Sequence, residues 1–289
     1  MSDHPIIPCQ QREDWAQQVQ AYAEALKAAA HTIGSHGLDA NAFSESGLFS
    51  SAIERLRGQR AASTSTKYAF IATILEYLKA SKLIADYRYV GSNERYDYEV
   101  VFSDGRICCI EAKGCLDGNN TNIFQRPQNA DEFIIWSLCQ NPGSDPRHNA
   151  WSGIHTRLSA EIVARGERVD GLVIWDMLCG TPARPCPKLV ADATRQTPIN
   201  GKHIPPPCIY TFPRTIPDAR NNPSPRPWAL ADVRILDTLA TAFQALPVEI
   251  TQVGIEVRMQ DANIQRRTIF TTNGAVVEES RWTSIRRAN

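Results

Sequence analysis

The sequence predicts an α/β protein, in which helical segments alternate with segments that have the pattern of β-strands. An apolar run at 67–82 follows the capping-type residues STST and has the length of a buried helix. Strand-like runs follow at 84–90, 96–102 and 106–113. A second helix is predicted over 151–166, ending at Gly166. It precedes GLVIWDML (171–178), an apolar run typical of a strand buried on both faces.

Composition and charge exclude several classes of protein. The 289 residues are 43% apolar and 21% charged, as in an ordinary globular protein, and the net charge of zero argues against binding nucleic acid through bulk charge alone. No apolar run reaches the roughly 18 residues of a membrane span, and the N-terminus has no signal-peptide pattern. We therefore expect a cytoplasmic protein whose eight cysteines, which form no CxxC pair, are mostly free core residues.

The chain divides into three predicted regions. Residues 1–66 are a helical N-terminal region, residues 67–180 form the core, and residues 181–289 form a Pro-rich, then helical, then β-rich extension packed on the core. Residues 182–227 contain 12 of the 18 prolines and are expected to be irregular.

Smaller elements are predicted within these regions. They are a short helix at 130–139, a helix at 229–246 and a hairpin turn at Asn273-Gly274. The segment 257–289 has six arginines against three acids, a net charge of +3, which suits either a solvated surface or contact with phosphates.

The segment YDYEVVFSDGRICCIEAKG (96–114) predicts a hairpin with a defined register. With Ser103-Asp104-Gly105 as the loop, opposed residues have numbers that sum to 208, so Asp97 lies opposite Glu111. The even face is apolar and forms the core: Tyr98, Val100, Phe102, Cys108, Ile110 and Ala112. The odd face carries Asp97, Glu99, Glu111 and Lys113.

Two carboxylates side by side predict a cation site. Asp97 and Glu111 repel each other, and a divalent cation relieves that repulsion. Oxygen ligands favour Mg²⁺, and Lys113 could then orient a water or neutralise charge on a phosphate. Glu99 lies farther along the same face and is expected to be an exposed acid. The alternative is a solvated sheet edge whose charges form surface pairs.

Asp97, followed after thirteen residues by Glu111-Ala112-Lys113, resembles the motif of the PD-(D/E)xK nuclease superfamily. The predicted order helix-strand-strand-strand-helix-strand over 67–178 is similar to the common core of that superfamily, although Tyr96 stands where the motif has proline. The resemblance implies a restriction-endonuclease-like core, with a mixed central sheet flanked by helices, and a Mg²⁺-dependent nuclease activity.

The resemblance also implies roles for individual residues. Asp97 and Glu111 would be metal ligands, the carbonyl of Ala112 a third ligand, and Lys113 the residue that activates water or stabilises charge. Many members draw a further acid from the first core helix. Glu76 is the acid inside that helix here, and a role in catalysis and a place on the helix surface are weighed equally.

Two further sets of residues are candidates for binding. An amide-rich loop follows the lysine and could contact DNA, although loops are generally rich in such residues. Its members are Asn119, Asn120, Asn122, Gln125 and Arg126. A zinc site is a weaker hypothesis because its spacing is loose. Its ligands would be Cys179, Cys186, His203 and Cys208.

Within the superfamily, the size of the chain and its lack of a P-loop motif favour a type II restriction endonuclease. Such an enzyme would act on double-stranded DNA as a homodimer, alongside a DNA methyltransferase that acts on the same site. The alternatives are a repair, phage or mobile-element nuclease of the same superfamily, a non-catalytic DNA- or protein-binding module with this fold, and a zinc-organised structural protein.

Overall fold

The structure is a computed structural model of the chain. It describes residues 39, 41–42, 64–91, 96–114, 125–139, 146–176 and 196–285. Nearly all of the predicted N-terminal region, 1–66, lies outside these ranges, as do residues 181–195 of the Pro-rich segment.

The helices of the described ranges are short, apart from the first. They are α1 (Thr64–Ala80), α2 (Pro146–Gly153), α3 (Ser159–Arg165) and α4 (Arg234–Ala242), and a π-helical turn, Ile154–Leu158, joins α2 to α3. None of the helices in these ranges has the length and apolar character needed to cross a membrane.

Twelve strands lie in the remaining described chain. In the first half they are β1 (Asp86–Tyr89), β2 (Tyr98–Val101), β3 (Ile107–Lys113), β4 (Glu132–Cys139) and β5 (Gly171–Asp176). In the second half they are β6 (Thr197–Ile199), β7 (Lys202–Ile204), β8 (Cys208–Thr211), β9 (Ile250–Gln260), β10 (Asn263–Thr272), β11 (Ala275–Glu279) and β12 (Thr283–Ser284).

The protein is an α/β protein built on a large mixed sheet. Within the described chain, ten strands join in the order β1-β2-β3-β4-β5-β8-β9-β10-β11, and β12 pairs with β10. Strands β3, β4 and β5 run parallel to one another, as do β8 and β9, while the other pairs are antiparallel. The C-terminal strands therefore extend the same sheet that contains the predicted core.

The predicted hairpin is confirmed in register and in orientation. Tyr98 pairs with Ile110 and Val101 with Ile107, and each pair sums to 208. Gly105 in the loop has a φ of +84°, the left-handed conformation that glycine adopts without strain. All six residues predicted for the apolar face are buried in one core cluster: Tyr98, Val100, Phe102, Cys108, Ile110 and Ala112.

Both faces of the central strands of the sheet are covered. Helices α1 and α4 pack on the face that carries the even residues of the hairpin, through side chains such as Leu75 and Leu239. The segment α2–α3 packs on the opposite face, through Ile154, Leu158 and Ile162. The odd face of the hairpin is therefore not a free surface along its length, which corrects the picture of a solvated sheet edge.

The short helix predicted at 130–139 is wrong, because this segment forms strand β4. Its sequence, EFIIWSLC, is buried at all eight positions between the parallel neighbours β3 and β5. A continuous apolar run has neither the period of a helix nor that of a strand, so its neighbours decide its structure. The observed order consequently has one strand more than predicted between the hairpin and the helices α2–α3.

Several other predictions are confirmed with shifted boundaries. Strand β5 and the helical segment α2–α3 are present, and α3 ends at Gly166 in the left-handed conformation. Asn273 and Gly274 form the predicted turn, with φ values of 50° and 77°. The Pro-rich segment is less irregular than expected, because it contributes the fully buried strand β8 to the central sheet. Four cysteines in the described ranges are buried and form no disulfide with one another: Cys108, Cys109, Cys139 and Cys208.

Candidate active site

The two predicted metal ligands meet where β2 begins and β3 ends. Asp97 comes directly before β2, and its amide donates a hydrogen bond of 2.9 Å to the carbonyl of Ile110. Its carboxylate turns back to β3, where Oδ2 accepts a hydrogen bond of 2.8 Å from the amide of Ala112. The Asp97 carboxylate is thereby fixed at the backbone between Glu111 and Lys113.

Glu111 and Lys113 form a partly enclosed ion pair beside Asp97. Lys113 Nζ lies 2.6 Å from Glu111 Oε1, and the two side chains are only 18% and 15% exposed. Burial raises the pKa of the Glu111 carboxyl above its ordinary value. Lys113 and Lys67 oppose this shift, while Asp97 adds to it. The net rise in pKa means that the cations around Glu111 do not fully compensate its loss of water.

The first turns of α1 supply two residues that sequence reasoning missed. The Tyr68 hydroxyl donates a hydrogen bond of 2.8 Å to Asp97 Oδ1, and Lys67 Nζ donates one of 2.8 Å to the carbonyl oxygen of Ala112. The Tyr98 hydroxyl donates to the Tyr68 carbonyl at 2.9 Å, which ties this end of the helix to β2. No motif marks Lys67 or Tyr68 in the sequence, because their role depends on where α1 crosses the sheet.

Lys67 brings a second cation to the site. Burial lowers the pKa of its ammonium, and the nearby Lys113 acts in the same direction. Asp97 and Glu111 act in the opposite direction and favour the charged form. The site therefore contains two carboxylates and two lysines within electrostatic reach of one another, whose formal charges sum to zero.

The oxygen donors of this site fit a magnesium ion. Mg²⁺ usually takes one or two carboxylates and keeps several waters, and Asp97, Glu111 and the Ala112 carbonyl offer two carboxylates and a neutral oxygen. Among the described residues, no group of three His, Cys, Asp or Glu side chains converges. A third protein ligand would therefore be the backbone carbonyl rather than another side chain.

The structure does not bring Glu76 to this site. Glu76 is exposed on α1 and accepts a hydrogen bond of 3.1 Å from the Tyr87 hydroxyl. It lies nine residues beyond Lys67, which corresponds to about 13 Å along the helix axis. The assignment of Glu76 to catalysis is corrected accordingly, because this position is on the outer side of α1 and not beside the carboxylates.

Glu99 is a buried structural acid and not the exposed residue that we expected. Only 7% of the residue is exposed, and its two carboxylate oxygens accept hydrogen bonds from Arg88 Nε at 3.0 Å and Nη2 at 2.9 Å. The Tyr96 hydroxyl donates a third, at 3.1 Å. The hydrogen bonds from Arg88 hold the pKa of Glu99 below its ordinary value. All of these contacts join neighbouring parts of one sheet.

The predicted DNA-contacting loop is only partly described. Asn119, Asn120 and Asn122 lie outside the described residues, and Gln125 is exposed. Arg126 is directed into the protein, where its guanidinium pairs with the buried Asp170 and donates to the carbonyls of Ala130 and Asp131. The expectation that Arg126 contacts DNA is therefore corrected, since its donors serve the fold.

Two further expectations concern the second half of the chain. His203 is exposed on β7 and Cys208 is buried in β8, while Cys179 and Cys186 of the hypothetical zinc set lie outside the described residues. In the basic C-terminal segment, the buried Arg266 donates to Ser159 Oγ at 2.7 Å and to carbonyls of the π-helical turn. Arg267 pairs with Glu256 and Glu279. At least these two arginines serve internal contacts.

Comparisons of this chain with protein-family models, curated proteins and solved structures found no match.

Proposed function

We propose that the protein is a Mg²⁺-dependent endonuclease that hydrolyses phosphodiester bonds in DNA. The observation that carries the proposal is the placement of Asp97 on the Ala112 amide, between Glu111 and Lys113. This placement provides two carboxylates and a carbonyl for a hard cation, with a lysine beside them. The partial burial of Glu111 and Lys113 supports a role beyond a solvated surface pair.

The residues of the site suit an in-line displacement at phosphorus. Asp97, Glu111 and the Ala112 carbonyl would hold the metal, which when bound supplies positive charge for the phosphate and a more acidic water. Tyr68 keeps the Asp97 carboxylate in one orientation through its hydrogen bond of 2.8 Å. Lys113 orients the attacking water or stabilises the charge that develops on the phosphate oxygens. The water oxygen bonds to phosphorus and gives up a proton to solvent, the bond from phosphorus to the 3′-oxygen breaks, and the 3′-oxygen takes up a proton from solvent, which leaves a 5′-phosphate and a 3′-hydroxyl.

Within this activity we favour a type II restriction endonuclease. The size of the chain and the absence of a P-loop motif from the sequence suit an enzyme that cuts without a nucleotide-driven motor. The enzyme would act as a homodimer on a site of two-fold symmetry, and a DNA methyltransferase would protect the same site. A repair, phage or mobile-element nuclease would use the same residues but would not require a fixed sequence.

A cleavage assay on unmethylated plasmid and phage DNA tests the proposal. The wild-type protein is compared in Mg²⁺ and in EDTA with two lysine variants, Lys113→Ala at the site and Lys79→Ala on the outer side of α1. Lys79 is exposed and pairs with Asp86, so it is a matched control. Loss of Lys113 is expected to lower the cleavage rate about 100-fold or more, and loss of Lys79 to leave it unchanged.

The products separate the subclasses. Discrete fragments that require Mg²⁺ indicate a site-specific enzyme, and their sizes begin to locate the site. A Mg²⁺-dependent smear, also lost in Lys113→Ala, retains the nuclease and excludes restriction. If the folded protein cleaves neither DNA, or if Lys113→Ala cleaves as fast as the wild type, the proposed activity or the role of the site is wrong.

A further inference from the structure

Lys67 donates a hydrogen bond to the Ala112 carbonyl oxygen, which is one of the proposed metal ligands. Its Nζ lies 2.8 Å from the oxygen of Ala112, and the ammonium also lies 4.6 Å from the ring centroid of Tyr68. Lys67 is partly buried, and the charged groups that act on its ammonium are the carboxylates of Asp97 and Glu111 and the ammonium of Lys113. The ammonium is thus already positioned where a cation is stabilised by Asp97, Glu111 and a backbone carbonyl.

A divalent ion and this ammonium make competing demands on the same oxygen. Mg²⁺ approaches its oxygen ligands to about 2.0–2.1 Å, so an ion bound to the Ala112 carbonyl would lie within a few ångströms of Lys67 Nζ. At such a distance like charges in a partly enclosed site repel strongly. The formal charges of the two carboxylates and the two lysines already sum to zero. A divalent ion therefore gives the site a net charge of +2 as long as Lys67 stays in place.

We propose that Lys67 is the resident cation of this site and that a divalent metal displaces its ammonium from the Ala112 carbonyl. The inference rests on the proposed function, since it assumes that Asp97, Glu111 and Ala112 hold a metal. Lys67 is then a positioning residue that keeps the carboxylates compensated before the metal enters. Its presence weakens metal binding, because part of the interaction with the ion is spent on removing the ammonium.

A purely structural role for Lys67 makes a different prediction. If the lysine only ties α1 to β3, its removal should lower the stability of the protein and leave the metal affinity unchanged or weaker. A resident cation has the opposite signature, because removing it frees the carbonyl and increases the negative potential of the site. Metal affinity, measured without substrate, therefore distinguishes the two roles.

The experiment measures the dissociation constant of Mn²⁺, as a paramagnetic substitute for Mg²⁺, by electron paramagnetic resonance on the full chain without DNA. Lys67→Met is compared with the wild type and with Lys79→Met, which removes an exposed lysine from the same helix. Lys67→Met is expected to bind Mn²⁺ about 10-fold more tightly than the wild type. Lys79→Met is expected to change the constant less than about twofold, because its charge lies far from the site.

Each outcome decides the inference. Suppose that the wild type binds Mn²⁺ and Asp97→Asn does not, so that the metal site is present. Unchanged or weaker Mn²⁺ binding by Lys67→Met then overturns the role proposed for Lys67 but leaves the metal site in place. If neither the wild type nor Lys67→Met binds Mn²⁺, the metal site assumed by the proposed function is wrong as well. If Lys67→Met does not fold, Lys67→Gln retains a polar side chain without the charge and is expected to tighten binding in the same direction. Failure of folded Lys67→Gln to tighten binding overturns the inference equally.

Discussion

Glu99 and Glu111 are two acids on one hairpin whose surroundings differ in kind. Both were predicted on the odd face, one on β2 and the other on β3. Glu99 accepts hydrogen bonds from both Arg88 nitrogens and from Tyr96, and its pKa is lowered. Glu111 is bonded, among the described residues, to Lys113 alone, and its pKa is raised.

The difference in hydrogen-bond donors and in pKa shift indicates which of the two carboxylates can accept a further cationic partner. A carboxylate with several fixed donors is stabilised in its charged form and has little to gain from another partner. A carboxylate that burial destabilises, and that one lysine only partly compensates, gains more from an added cation. By this criterion Glu99 serves the stability of the hairpin, and Glu111 is the acid that would gain most from a bound cation.

The largest expected effect is on cleavage. Glu111→Gln removes a proposed metal ligand and is expected to lower the cleavage rate about 100-fold or more. Glu99→Gln changes the same functional group on the same hairpin and is expected to retain at least about half of the wild-type rate at a temperature where it is folded. Rates measured side by side in saturating Mg²⁺ test the contrast. Equal losses in the two variants would erase the distinction between the two acids.

The next effect is on stability, where the Glu99 variant and not the Glu111 variant is expected to show the larger loss. Glu99→Gln is expected to cost about 1–2 kcal/mol at neutral pH, because it weakens charged hydrogen bonds to Arg88, whose side chain remains partly solvated. That corresponds to a fall in melting temperature of roughly 2–8 °C for a domain of this size. Glu111→Gln is expected to leave the melting temperature unchanged or to raise it, because it removes a charge that burial disfavours.

The pH dependence of this cost follows from the sign of the shift. Because the folded-state pKa of Glu99 is depressed, its contribution is present at pH above its ordinary pKa of 4.5 and is lost as pH falls through the lower folded-state pKa. The difference in melting temperature between wild type and Glu99→Gln should therefore be constant from pH 6 to 8 and shrink below about pH 4.5. A difference that grows on acidification would contradict the assigned role of Arg88.

The hairpin could be predicted from sequence because its determinants are local. The loop around Gly105 and the alternation of apolar residues fix the register of the paired residues, and extending that register by one residue predicts Asp97 opposite Glu111. The partner of Glu99 could not be found in this way. Arg88 lies directly opposite Glu99, but on β1, and no turn motif in the sequence predicts the pairing of β1 with β2.

The other missed features also depend on contacts distant in sequence. Lys67 reaches the carbonyl of Ala112 across 45 positions, and only the packing of α1 on the sheet brings them together. Arg126 was predicted to contact DNA because it lies in a polar loop. Its guanidinium instead pairs with the buried Asp170, which is 44 positions away in the sequence. In each case the residue type was visible in the sequence, but the partner that decides its role was not.

The smallest expected effect separates two tyrosines, each of which donates a hydrogen bond to one of the two acids of this strand segment, Glu99 and Asp97. Tyr96 donates to Glu99 at 3.1 Å, and Tyr68 donates to Asp97 at 2.8 Å. Tyr96→Phe is expected to cost about 0.5–1.5 kcal/mol of stability, the usual worth of one hydrogen bond, with the cleavage rate unchanged. Tyr68→Phe is expected to lower the cleavage rate by less than about 10-fold, because Asp97 keeps its bond to the Ala112 amide.

Thermal unfolding and cleavage rate, measured on both phenylalanine variants, complete this test. If each carboxylate has the role inferred from its hydrogen bonds, the tyrosine that contacts Glu99 affects unfolding more than cleavage. The tyrosine that contacts Asp97 affects cleavage more than unfolding. A reversed pattern would mean that Asp97 is held for stability and Glu99 for chemistry. The two hydroxyls have the same chemistry and similar hydrogen-bond lengths, so that such a reversal could be attributed only to the carboxylates that they contact.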